Sequence, residues 1–300
     1  MRHVSIQIQS VLFRNSKRSL DKAIEALANA IQVAKIKGEL EIDAMVSYGD
    51  ASPEPVFKER EISEKNSKWD EFLQISYNYF GFNSGSAKGH NILAESCKAE
   101  YMMIMNPDVI VSPRFFVEMF KPFENPQIGM VEARQTPIEH PKEYNIKTKE
   151  TDWATTACVI FPTKIFKQLN GFDAESFFMY CDDLDFSWRM RLEGYKIFYQ
   201  PLAPVYHAKR LSAEAKWQPT EAEIYYSAEA ALMMAYKYSN EKLLKQIINS
   251  YSNSRNSDLV RAVESFEQRK EKGQLPVQLD RQHKVAKFVG NMYTEHRFEL

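Results

Sequence analysis

The sequence has little of what marks several large classes of protein. Its three cysteines, Cys97, Cys158 and Cys181, form no C-x-x-C pair, so they indicate neither a disulfide framework nor a cysteine zinc site. We expect them to be reduced, buried thiols. A formal net charge of −1 provides no basic field for nucleic acid, so no nucleic-acid partner is expected. The ten glycines form no G-x-G-x-x-G after the first strand, which argues against a nicotinamide dehydrogenase.

Long apolar runs are also missing. No apolar stretch approaches the roughly 18–20 residues that a membrane-spanning helix needs. The segment MRHVSIQIQS has a strand pattern and lacks the apolar centre of a signal peptide. We therefore expect a cytoplasmic protein, at most one that rests on the inner face of the cell membrane. An apolar fraction of 44% and 300 residues suit one α/β catalytic domain with an additional segment.

Strand and helix patterns alternate through the first half of the chain. Strands are predicted over 4–13, 40–47 and 101–105, and a helix is predicted over 91–100. Another helix ends at Gly38 and is marked by the apolar stripe Ile24, Leu27, Ala28, Ile31 and Ala34. This alternation predicts βαβ units over a mostly parallel sheet. From about residue 220 the chain reads as helical.

Asn106-Pro107-Asp108-Val109 directly follows the apolar run YMMIM. A carboxylate on a loop at the C-terminal end of a parallel strand lies where open α/β sheets bind ligands. An ordinary Asn-Pro-Asp turn explains the same residues, so the motif alone leaves both interpretations open.

Three carboxylates, Asp182, Asp183 and Asp185, follow the apolar run FFMY and begin a predicted helix. The helix dipole favours acids in a first turn, so capping accounts for one or two of them. The apolar run also places an acid beside an apolar surface from which water is partly excluded, and such a position suits a general base. The i,i+4 spacing of Asp185 and Arg189 predicts an ion pair on that helix.

Two weaker signals complete the set. His207 ends the strand-like segment KIFYQPLAPVYH and is either a packed residue or a ligand. The small-residue loop NSGSAKGHN, residues 83–91, could direct backbone N–H groups and Lys88 at a phosphate. Neither signal is specific alone.

In their order and separation, these motifs resemble the family 2 glycosyltransferases of the GT-A fold, particularly the rhamnosyltransferase-like members. The resemblance covers about 210 residues, and its most specific part is the run GFDAESFFMYCDDLDFSWRMRLEGYKIFYQPLAPVYH. It implies an α/β GT-A catalytic domain over 1–215, Rossmann-like, with a mostly parallel central sheet and flanking helices. The nucleotide-sugar half would span about 1–110 and the acceptor half about 111–215. The helical C-terminal region, 216–300, is unmatched.

By the resemblance, Asp108 binds a divalent cation, Mg²⁺ or Mn²⁺, that bridges the donor diphosphate, and His207 completes the metal shell. Asn106 replaces the first carboxylate of the family motif, so we expect it to contact the nucleotide ribose or a metal-bound water. Asp183 aligns with the general base, which takes a proton from the acceptor hydroxyl in a single inverting displacement. Asp182 stands where the family usually has Glu, which leaves the choice between the two neighbours open.

The resemblance also implies the substrate contacts. Gly49 stands where the family usually has an Asp, which puts the base-contacting role of its neighbour in doubt. On the acceptor side, with Asp182, Trp153 either stacks on a sugar face or is a buried core residue. Arg189 either braces the base or reaches the acceptor or the diphosphate. The residues predicted for the nucleotide-sugar site are Asp50, Asn83, Lys88, Asn91 and Asn106.

The implied reaction moves a sugar from a dTDP- or UDP-sugar donor to a saccharide acceptor, lipid-linked in one interpretation, during bacterial surface polysaccharide synthesis. The alternative is a catalytically degenerate, glycan-binding or scaffold relative. A nucleotidyltransferase would need a Gly-rich, Arg-containing loop after the first strand, where this chain has SVLFRNSKRS. The aromatic helix near 225–238, with Lys237, Lys242 and Lys245, would cover the catalytic domain, form a homodimer or rest on a membrane surface.

Overall fold

The structure, a computed structural model, describes residues 1–137, 143–207 and 220–290, which form nine strands and nine α-helices. The strands are β1 (Arg2–Leu12), β2 (Leu40–Asp50), β3 (Leu73–Tyr79), β4 (Tyr101–Met105), β5 (Val109–Val111), β6 (Ile128–Thr136), β7 (Glu150–Thr151), β8 (Cys158–Pro162) and β9 (Lys196–His207). The helices are α1 (Lys17–Ile36), α2 (Glu59–Trp69), α3 (Gly85–Glu95), α4 (Phe115–Phe120), α5 (Thr163–Gln168), α6 (Asp182–Leu192), α7 (Glu221–Lys237), α8 (Glu241–Ser252) and α9 (Ser257–Glu271). A short 3-10 helix spans Lys121–Glu124.

All nine strands join one sheet. Its order is β3-β2-β1-β4-β8-β6-β9-β5, and β7 pairs with β9. Strands β1, β2, β3, β4, β6 and β9 run in one direction, and β5, β7 and β8 run in the other. The predicted α/β fold with a mostly parallel central sheet is therefore confirmed. The carboxyl ends of the six parallel strands share one edge, where open α/β sheets bind ligands.

The first βαβ unit forms as its apolar pattern predicts. All five stripe residues of α1 are buried between the helix and the sheet. The Ser16 hydroxyl caps the helix by accepting the N–H of Ser19. Gly38 follows the helix with φ +64°, a left-handed conformation that costs glycine little and lets the chain turn back into β2.

Two predicted boundaries are wrong. The helix predicted over 91–100 lies at α3, because the small-residue loop is itself helical from Gly85 onward. Gly85 has φ +65°, and a Cβ there would lie 2.3 Å from the backbone oxygen of Phe178. Strand β2 continues past Ser47 to Asp50, because its last residues keep their pairing with both β1 and β3.

The C-terminal helices α7, α8 and α9 lie in the part of the chain, after about residue 220, that the sequence predicts to be helical. They share one apolar cluster with α6 and the segment before it. Trp153, Phe177, Leu184 and Trp188 pack there against helix residues that include Met233. The helical tail is thus joined to α6 by a common core. Among the residues that the structure describes, no helix combines the length and the apolarity needed to cross a membrane.

Candidate active site

Polar side chains gather where the parallel strands end. Asn106 follows β4, His207 ends β9, and Gln135 lies next to the last residue of β6. Strand β5 pairs with β9 so that Val109 lies opposite His207, which brings Asp108 beside the histidine. The fold therefore brings together the three residues predicted to handle the metal and the nucleotide at this edge.

The histidine ring is oriented by a buried amide. His207 Nδ1 lies 2.7 Å from Gln135 Oε1, and Gln135 Nε2 donates to Thr155 Oγ1 at 2.8 Å. Because the amide oxygen can only accept, Nδ1 carries a proton, and in the neutral imidazole Nε2 then holds the lone pair. That Nε2 lies 3.6 Å from Asp108 Oδ1 and 3.4 Å from Asn106 Nδ2. A nitrogen lone pair and a carboxylate oxygen thus converge on the same space.

This donor set fits a divalent cation. A metal-binding histidine usually has its other ring nitrogen held by a hydrogen bond, as Gln135 holds His207 here. Carboxylate oxygen with one imidazole suits Mn²⁺ or Mg²⁺. Within the described ranges, no group of three or more His, Cys, Asp or Glu side chains could hold a metal ion. Asp108 and His207 would therefore need the substrate or water to fill the remaining positions.

The acidic pair follows two residues in left-handed conformations. Tyr180 has φ +69° and Cys181 has φ +59°, and α6 begins immediately after them with Asp182 and Asp183. Such conformations cost non-glycine residues about 1–3 kcal/mol each and persist only where the surroundings fix them. The turn into α6 is therefore a strained and well-determined part of the structure.

The two neighbouring acids differ in access. Asp182 is 4% exposed, and its Oδ2 has no hydrogen-bond partner. Burial, followed by the charge of Asp183, raises the pKa of Asp182 to about 7, against the smaller opposing effect of a hydrogen bond from Ser86. Asp183 is half-buried and accepts the N–H of Leu184 at Oδ1 at 2.8 Å. Since a base must reach its substrate, this geometry favours Asp183.

Asp182→Asn should change how stability depends on pH. The aspartate of the unfolded chain ionises near pH 4, whereas Asp182 in the folded protein keeps its proton to about pH 7. The stabilisation from protonated Asp182 is thus complete below about pH 4 and is lost as the pH rises through 7. We compare the unfolding free energy of the variant with that of wild type at each pH. As the pH rises from 4 to 8, we expect this difference to shift in favour of the variant by about 2–4 kcal/mol.

Urea unfolding at pH 4, 5, 6, 7 and 8 measures this difference. Glu64→Gln, at an exposed position on α2, is the matched control and should follow wild type at every pH. Parallel curves for Asp182→Asn and wild type would contradict the raised pKa.

One short segment connects the two groups of site residues. The backbone oxygen of Ala157 accepts the N–H of Asn106 at 2.9 Å, and the hydroxyl of Thr155 accepts a hydrogen bond from Gln135 Nε2. The N–H of Ala154 donates to Ser187 Oγ on α6 at 3.1 Å. Residues 154–157 thus contact both the edge of the sheet that carries Asn106 and Gln135 and the helix that carries the acids.

Two residues predicted for the acceptor side, Arg189 and Trp153, contact other parts of the protein. Arg189 uses Nε for Asp185 Oδ2 at 2.7 Å, and its other two nitrogens donate to the backbone oxygens of Leu169 and Gly171. The predicted i,i+4 pair is present, and the guanidinium is engaged on all three nitrogens. Trp153 is buried in the core that α6 shares with the C-terminal helices, which agrees with its interpretation as a core residue.

Asp50 is fully buried at the end of β2. Its Oδ1 accepts the N–H of Ser52 at 2.9 Å, and its Oδ2 accepts the N–H of Val56 at 2.7 Å and the hydroxyl of Tyr77. Both carboxylate oxygens therefore organise the loop after the strand. Burial, followed by the Asp50 hydrogen bond, raises the pKa of Tyr77, so the phenol remains a donor.

The other predicted nucleotide residues lie around α3. Asn83 accepts the N–H of Gly85, and the ammonium of Lys88 lies 5.2 Å from the ring centre of Phe82 on the exposed side of the helix. The side chain of Asn91 binds a more distant segment. Its Nδ2 donates to the backbone oxygen of Phe172, and its Oδ1 accepts the N–H of Phe172. Asn91 thus fixes the segment before the acidic pair, while Lys88 remains exposed to solvent.

A cavity of about 460 Å³ lies elsewhere. It opens beside Tyr144 and Tyr195, between the ion pairs Glu150–Lys196 and Asp152–Arg191. Lys196 begins β9 and His207 ends it, so the cavity lies at the opposite end of that strand from His207. None of the predicted site residues lines it.

Sequence comparison points to glycosyltransferases. No protein-family model matches the chain. It is 24% identical over 196 residues to the low-salt glycan biosynthesis hexosyltransferase Agl10 of Haloferax volcanii, covering 56% of this chain and 63% of that protein. It is 34% identical over 68 residues to the rhamnosyltransferase WbbL of Escherichia coli, covering 23% and 24% of the two chains. The chain thus spans less than two thirds of either relative.

Fold comparison agrees. The structure superposes on GalNAc-T7, solved with UDP, GalNAc and Mn²⁺, with a TM-score of 0.62 and 12% identity, covering 88% of this chain and 55% of that one. It superposes on the mannosyltransferase PcManGT of Pyrobaculum calidifontis, solved with GDP-Man and Mn²⁺, with a TM-score of 0.57 and 12% identity, covering 89% and 75%. The fold is that of the GT-A glycosyltransferases, and the predicted resemblance to this class of enzyme is confirmed.

Proposed function

We propose that this chain is a metal-dependent, inverting glycosyltransferase. The observation that carries the proposal is the pairing of Asp108 with His207 at one edge of a GT-A sheet, connected through residues 154–157 to the helix that begins with Asp182 and Asp183. The reaction is the transfer of a hexose, rhamnose first among the candidates, from a nucleotide-sugar to a glycan acceptor.

Asp183 acts as the general base. It takes the proton from an acceptor hydroxyl while that oxygen attacks the anomeric carbon on the face opposite the diphosphate. The new glycosidic bond forms as the bond to the diphosphate breaks, so one displacement inverts the anomeric configuration. The greater exposure of Asp183, compared with the buried Asp182, supports this assignment.

Asp108 and His207 hold the cation, Mn²⁺ or Mg²⁺. When bound, the cation supplies electrostatic stabilisation of the leaving diphosphate. The protein prepares for it by fixing the imidazole tautomer through Gln135. Mn²⁺ in the solved structures of GalNAc-T7 and PcManGT supports a divalent cation for this fold. Asn106, whose amide lies against His207, contacts the ribose or a metal-bound water.

The donor nucleotide is dTDP or UDP, and the acceptor is a bacterial surface polysaccharide under construction. The names of Agl10 and WbbL support a glycan acceptor and a hexose or rhamnose donor. Asp50, Asn83, Lys88 and Asn91 shape the nucleotide side of the site, and Asp50, Asn83 and Asn91 do so by binding backbone groups. A lipid-linked acceptor would bring the protein to the cytoplasmic face of the membrane, and a homodimer through the C-terminal helices is a further proposal.

A thermal-shift panel of UDP, dTDP, GDP and CDP, each with and without Mn²⁺, tests the donor site. A ligand that binds only the folded state contributes about 2.7 kcal/mol at a hundredfold excess over Kd. We expect an increase of about 4 °C in Tm with UDP or dTDP, and only when Mn²⁺ is present. AMP with Mn²⁺ is the control and should leave Tm unchanged.

A degenerate, glycan-binding relative is the second candidate. Two observations favour it. Asn106 stands where the family motif has its first carboxylate, and both carboxylate oxygens of Asp50 accept hydrogen bonds from within the protein, namely from Ser52, Val56 and Tyr77. If the chain is such a degenerate relative, no nucleotide in the panel should change Tm. If it is an active enzyme, at least one nucleotide should raise Tm when Mn²⁺ is present.

A further inference from the structure

Lys237 ends α7 with its ammonium buried between two carboxylates. Nζ lies 2.7 Å from Asp173 Oδ2 and 2.6 Å from Asp185 Oδ1, and the residue is 4% exposed. Of the three roles that the sequence leaves open for this helix, Lys237 contributes to the packing of α7 on the catalytic domain, because its ammonium faces inward. Lys242 and Lys245, in contrast, are exposed.

The two carboxylates lie at the two ends of one segment. Asp173 opens it by accepting the N–H of Ser176 at 3.1 Å. Asp185 closes it inside the first turn of α6, where Tyr238 also donates to it at 3.1 Å. Between the two carboxylates lie the strained turn residues and the candidate base, Asp183. A single cation from the C-terminal helices thus ties together both ends of the segment that carries the base.

The charges in this cluster balance. Asp173 and Asp185 face Lys237, and Arg189 contacts Asp185 from the other side. Burial alone would raise the pKa of Asp173, but the charge and hydrogen bond of Lys237 and the bonds from Ser176 lower it. Asp173 is thus held as a carboxylate. Without the ammonium, the half-buried carboxylate of Asp173 and the buried carboxylate of Asp185 would face each other across the space that it occupies.

We propose that Lys237 is a positioning residue for catalysis: by bridging Asp173 and Asp185 it sets the conformation of residues 173–185 and hence the direction of Asp183. The C-terminal helices are then part of the active site. This inference rests on the proposed function, because it assigns Lys237 a role in orienting the base of that reaction.

Lys237→Met tests the inference, with Lys237→Arg as the conservative variant and Lys242→Met as the matched control on exposed α8 surface. The first measurement is amide hydrogen exchange with the chain alone. In Lys237→Met we expect exchange of residues 174–184 to rise about 10-fold or more, with β1 and α1 unchanged. Lys237→Arg should restore most of the protection, and Lys242→Met should match wild type.

The second measurement is release of UDP or dTDP from nucleotide-sugars that carry the nucleotide identified by the panel. Misplacing a catalytic group by about 1 Å can cost about 100-fold, so kcat of Lys237→Met should fall by about that factor while KM for the donor changes less than about 3-fold. Should Lys237→Met not fold, the charge-balanced pair Asp173→Asn with Lys237→Met takes its place and must show the same two effects.

The outcomes separate the two proposals. A wild-type protein that releases no nucleotide from any donor contradicts the proposed function. An active wild type, with Lys237→Met equal to it in kcat and in exchange over 174–184, overturns the positioning role alone. A loss of protection spread evenly over the sheet also overturns it, because Lys237 would then serve general stability.

Discussion

Asp183→Asn should lower kcat by about 10²–10⁴-fold, the contribution of a positioned general base. Asparagine keeps the shape of the side chain and its contact with the N–H of Leu184 but cannot take a proton from the acceptor. Asp183 is not part of the Asp108–His207 pair, so binding of the nucleotide with Mn²⁺ should remain within about 3-fold of wild type. Initial-rate kinetics together with a thermal shift under UDP or dTDP measures both effects.

The same substitution at two nearby acids makes this result specific. Glu193→Gln, on the exposed residue that follows α6, should keep the wild-type kcat. Asp182→Asn separates the two candidate bases: if it removes activity while Asp183→Asn retains more than about a tenth of kcat, the base is Asp182. The geometry predicts the reverse order, because Asp182 is buried and Asp183 reaches solvent.

The elements that carry the site could be predicted because they depend on local patterns. The apolar run before Asn106 is β4 at the predicted residues, and the alternation of strands and helices gave the parallel edge where the site lies. The three cysteines are buried, as expected. Asp108 and His207, placed by resemblance, lie together although they are 99 residues apart in the chain.

The residues that orient the site could not be predicted, because their partners are distant in sequence. Gln135 is an ordinary strand residue until β6 and β9 pair and bring His207 to it. Lys237 looks like a surface lysine on an amphipathic helix until α7 packs against α6 and surrounds it with Asp173 and Asp185. No local pattern marks such a contact, since it depends on tertiary packing.

Residues typical of turns also gave a wrong strand boundary at a place where a side chain accepts hydrogen bonds from backbone N–H groups. Gly49, Asp50 and Pro53 read as the end of a strand, yet β2 keeps its pairing through Asp50. The buried carboxylate accepts the loop N–H groups and so lets the strand continue to the edge of the site. Arg189 shows the same limit, because its spacing predicts the pair with Asp185 but not its bonds to two backbone oxygens.

Asp108→Asn should abolish the metal-dependent part of nucleotide binding. The amide is neutral and binds a hard divalent cation much more weakly than a carboxylate does, and only His207 would then remain in the pair. At a hundredfold excess over the wild-type Kd, the stabilisation of about 2.7 kcal/mol by UDP or dTDP with Mn²⁺ should vanish. A loss of about 10³-fold or more in kcat/KM is expected, since the leaving diphosphate would no longer be neutralised.

Asp43→Asn is the matched control, because Asp43 is also an aspartate beside a histidine, 3.1 Å from His3 on the surface. Within the described chain, no hydrogen bond to a buried amide is found for His3, so that pair lacks the fixed tautomer that Gln135 gives His207. Asp43→Asn should therefore keep the full Mn²⁺-dependent shift. If Asp108→Asn keeps it as well, the cation binds elsewhere or the nucleotide binds without it. If instead only Asp108→Asn loses the shift, the cation binds at the Asp108–His207 pair and not at the surface pair of Asp43 and His3.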